Sequence, residues 1–419
     1  MLGHSWGRID RLEGTCYNEA QPWKKRICGC AGDWRGAGGN ALKLDTIVLA
    51  PDSFKGTMSA EEVCDVWARA IARRLPQAQV RRVPLADGGE GLVEAALHIL
   101  KGSLRQAQVP GPFGEPLKVD YALLPDGQAV VEMACCAGLP LVGGRQDPFR
   151  ASTWGVGQLL AAVRDQGASG VLLGLGGSAT NDGGMGMAAA LGYQFLDEHG
   201  RPLEPLALNL HAVRGIRPPE KSLGIPVVAA CDVDNPLTGP QGASHVFGAQ
   251  KGAGEDGRVW LDEGLENLAR VMERDLGQAV SHVRGAGAAG GLGAGVLAFL
   301  GGKLRPGIEL LLDAAHFDQL LEDADLVLTG EGRMDGQTVH GKTPCGVAGR
   351  ARKMGVPCIA LCGSAGDGVE AVYGAGIDAV FCAVRGACSF EQIRKSCKQD
   401  MEMLTDAVLR TLMLGGQGR

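Results

Sequence analysis

The chain has 419 residues, 45% of them hydrophobic and 21% charged, with a formal net charge of −6 at pH 7. One core rarely serves so long a chain, so two domains are expected, and the apolar content is too high for a disordered polymer. The acidic balance argues against nucleic-acid binding, which wants a basic face, and no uninterrupted apolar run of about eighteen residues offers a membrane span. Residues 1–43 mix Trp, Cys, Gly and both charges without period, and they lack the apolar segment of a signal peptide. They are expected to be a poorly ordered extension. Within them Cys28 and Cys30 form a lone C-x-C without the second ligand pair that structural zinc wants.

The fold is expected to begin near Asp45. Residues 46–50 are a short β-branched apolar run and predict a buried strand. Ser59-Ala60-Glu61-Glu62 is a capping box, after which Val63, Val66, Trp67, Ala70, Ile71 and Leu75 recur at helical spacing until Pro76. Residues 80–85 predict a second strand and 90–100 a second helix, an order that implies a parallel sheet. Residues 117–124 and 129–133 flank Pro125-Asp126-Gly127-Gln128, a turn sequence that predicts an antiparallel hairpin. Helices follow at 156–166, 183–191 and 261–276, and strands at 170–175 and 226–231. The last third alternates again, with strands at 326–329, 356–362 and 379–383 and a helix at 344–354. Ser389-Phe390-Glu391-Gln392 caps a final amphipathic helix carrying Ile393, Cys397, Met401, Leu404 and Val408. The simplest architecture is α/β. A Rossmann-like parallel-sheet domain is built from both chain ends (44–115 and 285–419), a mixed α/β domain (116–284) is inserted, and the active site lies in the cleft.

Glycine, 66 of 419 residues, is about twice its usual ~7% share, which points to tight turns and close backbone approaches to a ligand. The 13 cysteines are scattered, several of them (Cys231, Cys358, Cys362, Cys382) inside apolar runs. They read as small buried hydrophobes of a reducing compartment, hence a cytoplasmic protein. Three glycine motifs mislead. Gly285-x-Gly287-x-x-Gly290 fits a dinucleotide fingerprint but follows no apolar strand, and reads instead as a close-packed helix entry. Gly174-x-Gly176-x-x-Ala179 does follow a strand, yet no acid ends a second strand about twenty residues on. Gly336-x-x-x-x-Gly341-Lys342-Thr343 matches a Walker A loop, but two acids and an Arg separate it from its strand.

The carboxylates are more informative. Asp52, Asp87, Asp182, Asp232 with Asp234, and Glu331 with Asp335 lie in five glycine-bearing loops that each follow a predicted strand. Open α/β sheets bind ligands outside the carboxyl ends of their strands. Phosphoryl transfer to an alcohol needs an acid to take the hydroxyl proton, carboxylates for Mg²⁺, and cations against the phosphate oxygens. The loops supply the first two, and Lys55, Arg333 and Lys251 are candidates for the third. No Ser-His-Asp order, G-x-S-x-G elbow or H-E-x-x-H is present, which disfavours acyl transfer and zinc hydrolysis.

These loops resemble the type-1 glycerate kinase family. The matching stretches are APDSFKGTMSA (50–60), PLADGGEG (84–91), GLGGSATNDGG (174–184), ACDVDNPL (230–237), VFGAQKGA (246–253), GAGAAGGLGAG (285–295), DLVLTGEGRMDGQT (325–338) and GKTPCGVA (341–348). They run in the family's order from about Asp45 to the C-terminus. Leu92, Thr238 and Ala249 depart from the family's usual residues, and 1–43 has no counterpart. The resemblance implies ATP- and Mg²⁺-dependent phosphorylation of D-glycerate, typically to 2-phosphoglycerate, by two α/β domains unrelated to P-loop enzymes. On that reading Asp182, then Asp52, is the expected catalytic acid. Ser53, Lys55, Arg333 and Asp335 are assigned to the substrate. Gly176, Gly177, Ser178, Asn181, Glu331 and Lys342 are assigned to the nucleotide, and Asp87, Glu90, Asp232 and Asp234 to the metal. The partner expected is D-glycerate alone, without nucleic acid or membrane, in a monomer or homodimer. The competing readings are a nucleotide- or acid-sensing protein without turnover and an NAD-dependent 2-hydroxyacid oxidoreductase.

Overall fold

The apolar run at the start of the family-like region does form a strand, β1 (Thr46–Pro51), and all six of its residues are buried. It belongs to a computed structural model that describes residues 44–85, 91–98, 100–339 and 341–414. The 1–43 extension, its Cys28-x-Cys30 and the acidic residues Asp87 and Glu90 lie outside the described residues.

Helix α1 (Ala60–Arg74) starts where the capping box places it. The Ser59 hydroxyl accepts from Glu62 N–H, and the Glu62 carboxylate accepts from Ser59 N–H. Its apolar stripe is buried, with Val63, Trp67 and Ile71 at most 1% exposed. A fully buried Trp of this kind contributes roughly 3–5 kcal/mol against truncation. Next come β2 (Gln79–Arg82), α2 (Leu92–His98), β3 (Ser103–Pro110), β4 (Pro116–Leu123) and β5 (Gln128–Glu132). The hairpin turn forms as its sequence dictates: Gly127 has φ +86° and Asp126 Oδ1 accepts from Gln128 N–H. β4 nevertheless meets β5 through only two register pairs, while β3 pairs with β4 antiparallel along its whole length. β3 was not anticipated. It is an edge strand whose first four residues are exposed, so its sequence lacks the apolar run that marks a buried strand.

Beyond the hairpin lie α3 (Trp154–Asp165), β6 (Gly170–Gly174), α4 (Met185–Ala190), β7 (Gln194–Leu196), β8 (Gly215–Arg217) and β9 (Val227–Ala230). Then come α5 (Glu255–Leu276), α6 (Ala288–Leu300), β10 (Lys303–Arg305), α7 (Gly307–Ala314), β11 (Leu326–Gly330) and β12 (Arg333–Met334). The chain continues with α8 (Thr343–Met354), β13 (Cys358–Cys362), β14 (Ser364–Ala365), β15 (Ala379–Cys382) and α9 (Phe390–Leu414).

The strands assemble into two main sheets. One has the order β15-β13-β11-β1-β2 and is parallel throughout, drawing on both ends of the described chain. The other has the order β10-β9-β6-β5-β4-β3, parallel from β10 to β5 and antiparallel from β5 to β3. The expected α/β class, with a parallel sheet from the chain ends and a mixed sheet from the middle, is what forms. The mixed sheet itself runs from Ser103 to Arg305, wider at both ends than the 116–284 segment. Val48 and Ala50 of β1 share one hydrophobic cluster with Ala122, Val130 and Leu172 of the mixed sheet.

The misleading glycine motifs also resolve physically. A Cβ on Gly285 would lie 2.8 Å from Cys231 Sγ, and one on Gly290 2.0 Å from the Thr180 carbonyl oxygen. Both glycines are packing contacts at the entry to α6. Twelve residues separate the end of β11 from α8, among them β12, so the Walker-like letters do not form a strand-to-loop cradle.

Candidate active site

Parallel strands put all their carboxyl ends on one edge, and the acidic loops start there. At the end of β1 and β11, Asp52 N–H donates to the Gly330 carbonyl at 2.9 Å, which locks the two loops together. Asp52 is 4% exposed, and its Oδ1 accepts from Ser53 N–H at 2.6 Å. Glu331, the next residue after β11, is also buried. Its Oε1 accepts from the Thr338 hydroxyl at 2.7 Å, and its Oε2 lies 3.5 Å from Lys342 Nζ. Burial raises the Glu331 carboxyl above its usual range, and so does the Asp335 charge, while Thr338 and Lys342 pull it down. Thr338 Oγ1 also accepts from Asp335 N–H at 3.1 Å, so one buried hydroxyl ties both acids of this loop. Arg333 extends from the same loop, 69% exposed at its side chain and 3.6 Å from Asp335.

These side chains share a cavity of about 530 Å³, whose wall includes Asp52, Ser53, Lys55, Glu331, Arg333, Asp335 and Lys342. The rest of its wall is largely apolar: Phe54 and Met58 from the β1 loop, Val384 beyond β15, and Phe390, Ile393 and Met401 from α9. The volume is in the ~300–1,000 Å³ range that holds drug-sized ligands.

The carboxyl edge of the mixed sheet carries a second, smaller cavity of about 170 Å³. Gly176, Gly177 and Ser178 after β6 line it, with Asp232 after β9, Lys251, and Ala289 at the entry to α6. Lys251 is 2% exposed, and its Nζ donates to the Thr180 carbonyl at 2.8 Å. Burial draws this ammonium down to about 7, against the pull of the Asp182 charge. The two carboxyl edges are joined by a short stretch of chain. Leu85 N–H donates to Pro51 O beside β1, and Gly91 and Leu92 N–H donate to Glu132 Oε1 at the end of β5.

A family model described as the glycerate kinase family matches residues 47–413. The chain belongs to the glycerate kinase family. A glycerate kinase of Halalkalibacterium halodurans is 46% identical over 83% of this chain and 93% of its own length. The glycerate 2-kinase of Escherichia coli is 41% identical over 88% of this chain and 98% of its own. Among solved structures, a protein assigned as glycerate kinase 2 from Salmonella typhimurium LT2 superposes with a TM-score of 0.78. It is 40% identical and covers 90% of this chain and all of its own.

The family-like residues fall into several environments. All four residues assigned to the substrate share the larger cavity with Asp52. The residues assigned to the nucleotide divide: Glu331 and Lys342 line the larger cavity, while Gly176, Gly177 and Ser178 line the smaller. Asn181 is fully buried, with its Nδ2 donating to Ser244 Oγ at 2.9 Å, and it lines neither.

Asp182, the first choice for the catalytic acid, is where the geometry departs most from expectation. It is fully buried and lines neither cavity. Its Oδ2 accepts from Thr153 N–H, the Thr153 hydroxyl and Gly186 N–H at 2.8, 2.7 and 3.2 Å, and its Oδ1 from Gly184 N–H at 3.0 Å. Burial raises its carboxyl and these hydrogen bonds lower it. Such a carboxylate organises the turn into α4. Of the acids assigned to metal, Asp232 accepts from Gly307 N–H at 2.8 Å, and Asp234, 66% exposed at its side chain, pairs with Arg284. Among the described residues no group of three or more His, Cys, Asp or Glu is placed to hold a metal ion, and no helix is long and apolar enough to cross a membrane.

Sequence reasoning missed the α9 face of the larger cavity and the role of Thr338. The capping box announced the helix, but only tertiary packing sets its apolar side against the acidic loops. Thr338 stood inside the quoted GRMDGQT stretch; three residues past Asp335 is the spacing of a turn closed by a hydroxyl.

Proposed function

We propose that the protein transfers the terminal phosphate of ATP to D-glycerate, with Mg²⁺, giving 2-phosphoglycerate. The observation that carries this reading is the convergence in one cavity of the buried carboxylate Asp52 with the cations Lys55, Arg333 and Lys342. Phosphoryl transfer asks the protein for positioning and charge neutralisation more than for covalent chemistry. Asp52, oriented through Ser53 N–H, takes the proton of the attacking hydroxyl. The three cations oppose the charge on the transferring group, and the apolar wall from α9 excludes water from one side.

Magnesium takes one or two carboxylates together with phosphate oxygens and water. Glu331 and Asp335 fit that donor set, because both carboxylates face the same cavity from one loop. They are the residues proposed to hold it, in place of Asp232 and Asp234, whose carboxylates are engaged with Gly307 N–H and Arg284. The bound ion supplies charge neutralisation at the phosphates. The Gly285–Gly290 packing accounts for one of the two glycine matches on which the nicotinamide reading rested.

The test is ADP release by the full-length protein on mixing with ATP, Mg²⁺ and D-glycerate, with phosphorus NMR of the product. ADP formed in step with a secondary phosphate ester is the expected result. A primary ester would move the attack to the 3-hydroxyl. Melting-temperature shifts with both ligands but no ADP would make the protein a sensor.

A further inference from the structure

The smaller cavity holds a cation for which the mechanism above has no use. Lys251 ends a one-turn 3-10 segment (Ala249–Lys251) and is 2% exposed. An ammonium carries three donors. Among the described residues, the Lys251 ammonium makes one hydrogen bond, to the Thr180 carbonyl, and no ion pair. Burying an ammonium charge so thinly compensated is unfavourable unless another group meets it. The negative charge that influences it most, Asp182, already accepts four hydrogen bonds from elsewhere. The arrangement is also built into the backbone. Thr180 O, which fixes the Lys251 head, is packed against Gly290, a position with φ +67° where any Cβ would lie 2.0 Å from that oxygen. Gly177, on the facing loop, has φ +70° and opens backbone to the same space.

We infer that the 170 Å³ cavity is an oxyanion subsite in which Lys251 anchors a carboxylate or phosphate group. The volume is below the range that takes drug-sized ligands, so the group enters as one small end of a ligand. The chemistry is shared by two sources: the carboxylate of the hydroxy-acid acceptor and a phosphate of the nucleotide. Neither Lys55 nor Arg333 performs this task, since both line the other cavity. The inference deepens the kinase reading and rests on it for the two candidate ligands, but its test reads binding and needs no turnover.

The test is calorimetric titration of full-length wild type, Lys251→Met and Gln250→Glu, separately with D-glycerate and with a non-hydrolysable ATP analogue plus Mg²⁺. Met matches Lys in length and adds no buried charge. Gln250 is an exposed residue in the wall of the same cavity, so its replacement by Glu adds a repelling charge without touching the core. Lys251→Met is expected to weaken one of the two ligands by roughly 10–100-fold, the scale of a lost charge-assisted hydrogen bond. Gln250→Glu is expected to weaken the same ligand by about threefold, the scale of a partly screened surface charge. Weakened D-glycerate assigns the anion to the acceptor, and weakened nucleotide assigns it to the phosphates; either supports the subsite. Unchanged affinity for both ligands in Lys251→Met overturns it. Should that variant fail to fold, unchanged affinities in Gln250→Glu overturn it alone. Tight binding without ADP release would refute the kinase reading and leave the subsite standing.

Discussion

The β1–β11 edge and the loop after β6 carry the same sequence signature: a buried apolar strand, then glycines and an acid. Their acids are used in opposite ways. Asp52 takes a hydrogen bond from its neighbour Ser53 and lines a 530 Å³ cavity among three cations. Asp182 takes four hydrogen bonds from Thr153, Gly184 and Gly186 and lines neither described cavity. What marks Asp182 is the set of donors that the backbone aims at its carboxylate. Gly183 and Gly184, at φ +63° and +76°, curl the chain so that its own N–H groups converge on Asp182. After Asp52 the chain closes a small bridge between Phe54 and Met58, with Gly56 at φ +79° in its turn. An acid after a strand can thus either face a cavity or be enclosed by the turn that follows it.

The sharpest way to break this contrast is to neutralise each acid. Asp52→Asn is expected to lower kcat roughly 10²–10⁴-fold, the range for removal of a general base, with the melting temperature nearly unchanged. Asp182→Ala is expected to act on the fold instead. It orphans buried N–H donors at about 1–3 kcal/mol each, a loss of stability that denaturant titration would read directly. A soluble Asp182→Ala protein with native stability and no turnover would reverse the two assignments.

A smaller effect sharpens the picture at the β11 loop. Thr338 is fully buried, and its hydroxyl donates to Glu331 while accepting from Asp335 N–H. Thr338→Val keeps the shape and deletes both bonds. The expected result is a loss of roughly tenfold in kcat/KM, since one net hydrogen bond is worth about 1 kcal/mol and its loss also frees two acids from their positions. Equal kinetics for Thr338→Val and wild type would mean that this loop is not held by Thr338.

How much of this was legible in advance follows from the same physics. Strands buried on both faces, such as 46–50 and 170–175, announce themselves as apolar runs, and α1 announces itself by its cap. β3 and the three-residue β10 do not, because edge strands hide only part of their surface. At the site, the sequence located the acidic loops and the family, and the four residues it assigned to substrate share one cavity. It did not distinguish Asp182 from Asp52, because convergence of N–H groups on a carboxylate depends on dihedral angles that a D-G-G motif permits without requiring. It also named Lys251 as a candidate for opposing phosphate charge without revealing its burial, since a lysine in a short polar turn reads as a surface residue.

Lys251 offers the finest test of the contrast between engaged and open charges, through pH. Its pKa falls from an unfolded value near ~10.4 to about 7 in the folded chain, mainly through burial. Below pH 7 both states hold the proton and the penalty of burying the charge is constant. Between about 7 and ~10.4 the unfolded chain binds one proton more than the folded one, so stability rises with pH. Burial drives this shift against the opposing pull of the Asp182 charge, whose own carboxyl burial raises, while Asp232 lines the same cavity and burial pushes the Cys231 thiol up to about 11. The stability of wild type minus that of Lys251→Met should therefore grow by ~1.4 kcal/mol per pH unit between pH 7.5 and 9, as read by urea unfolding of both proteins in parallel. A flat difference would mean that the Lys251 ammonium is already matched by a charge in the folded protein, and the cavity would then have no unmet cation to offer an anion.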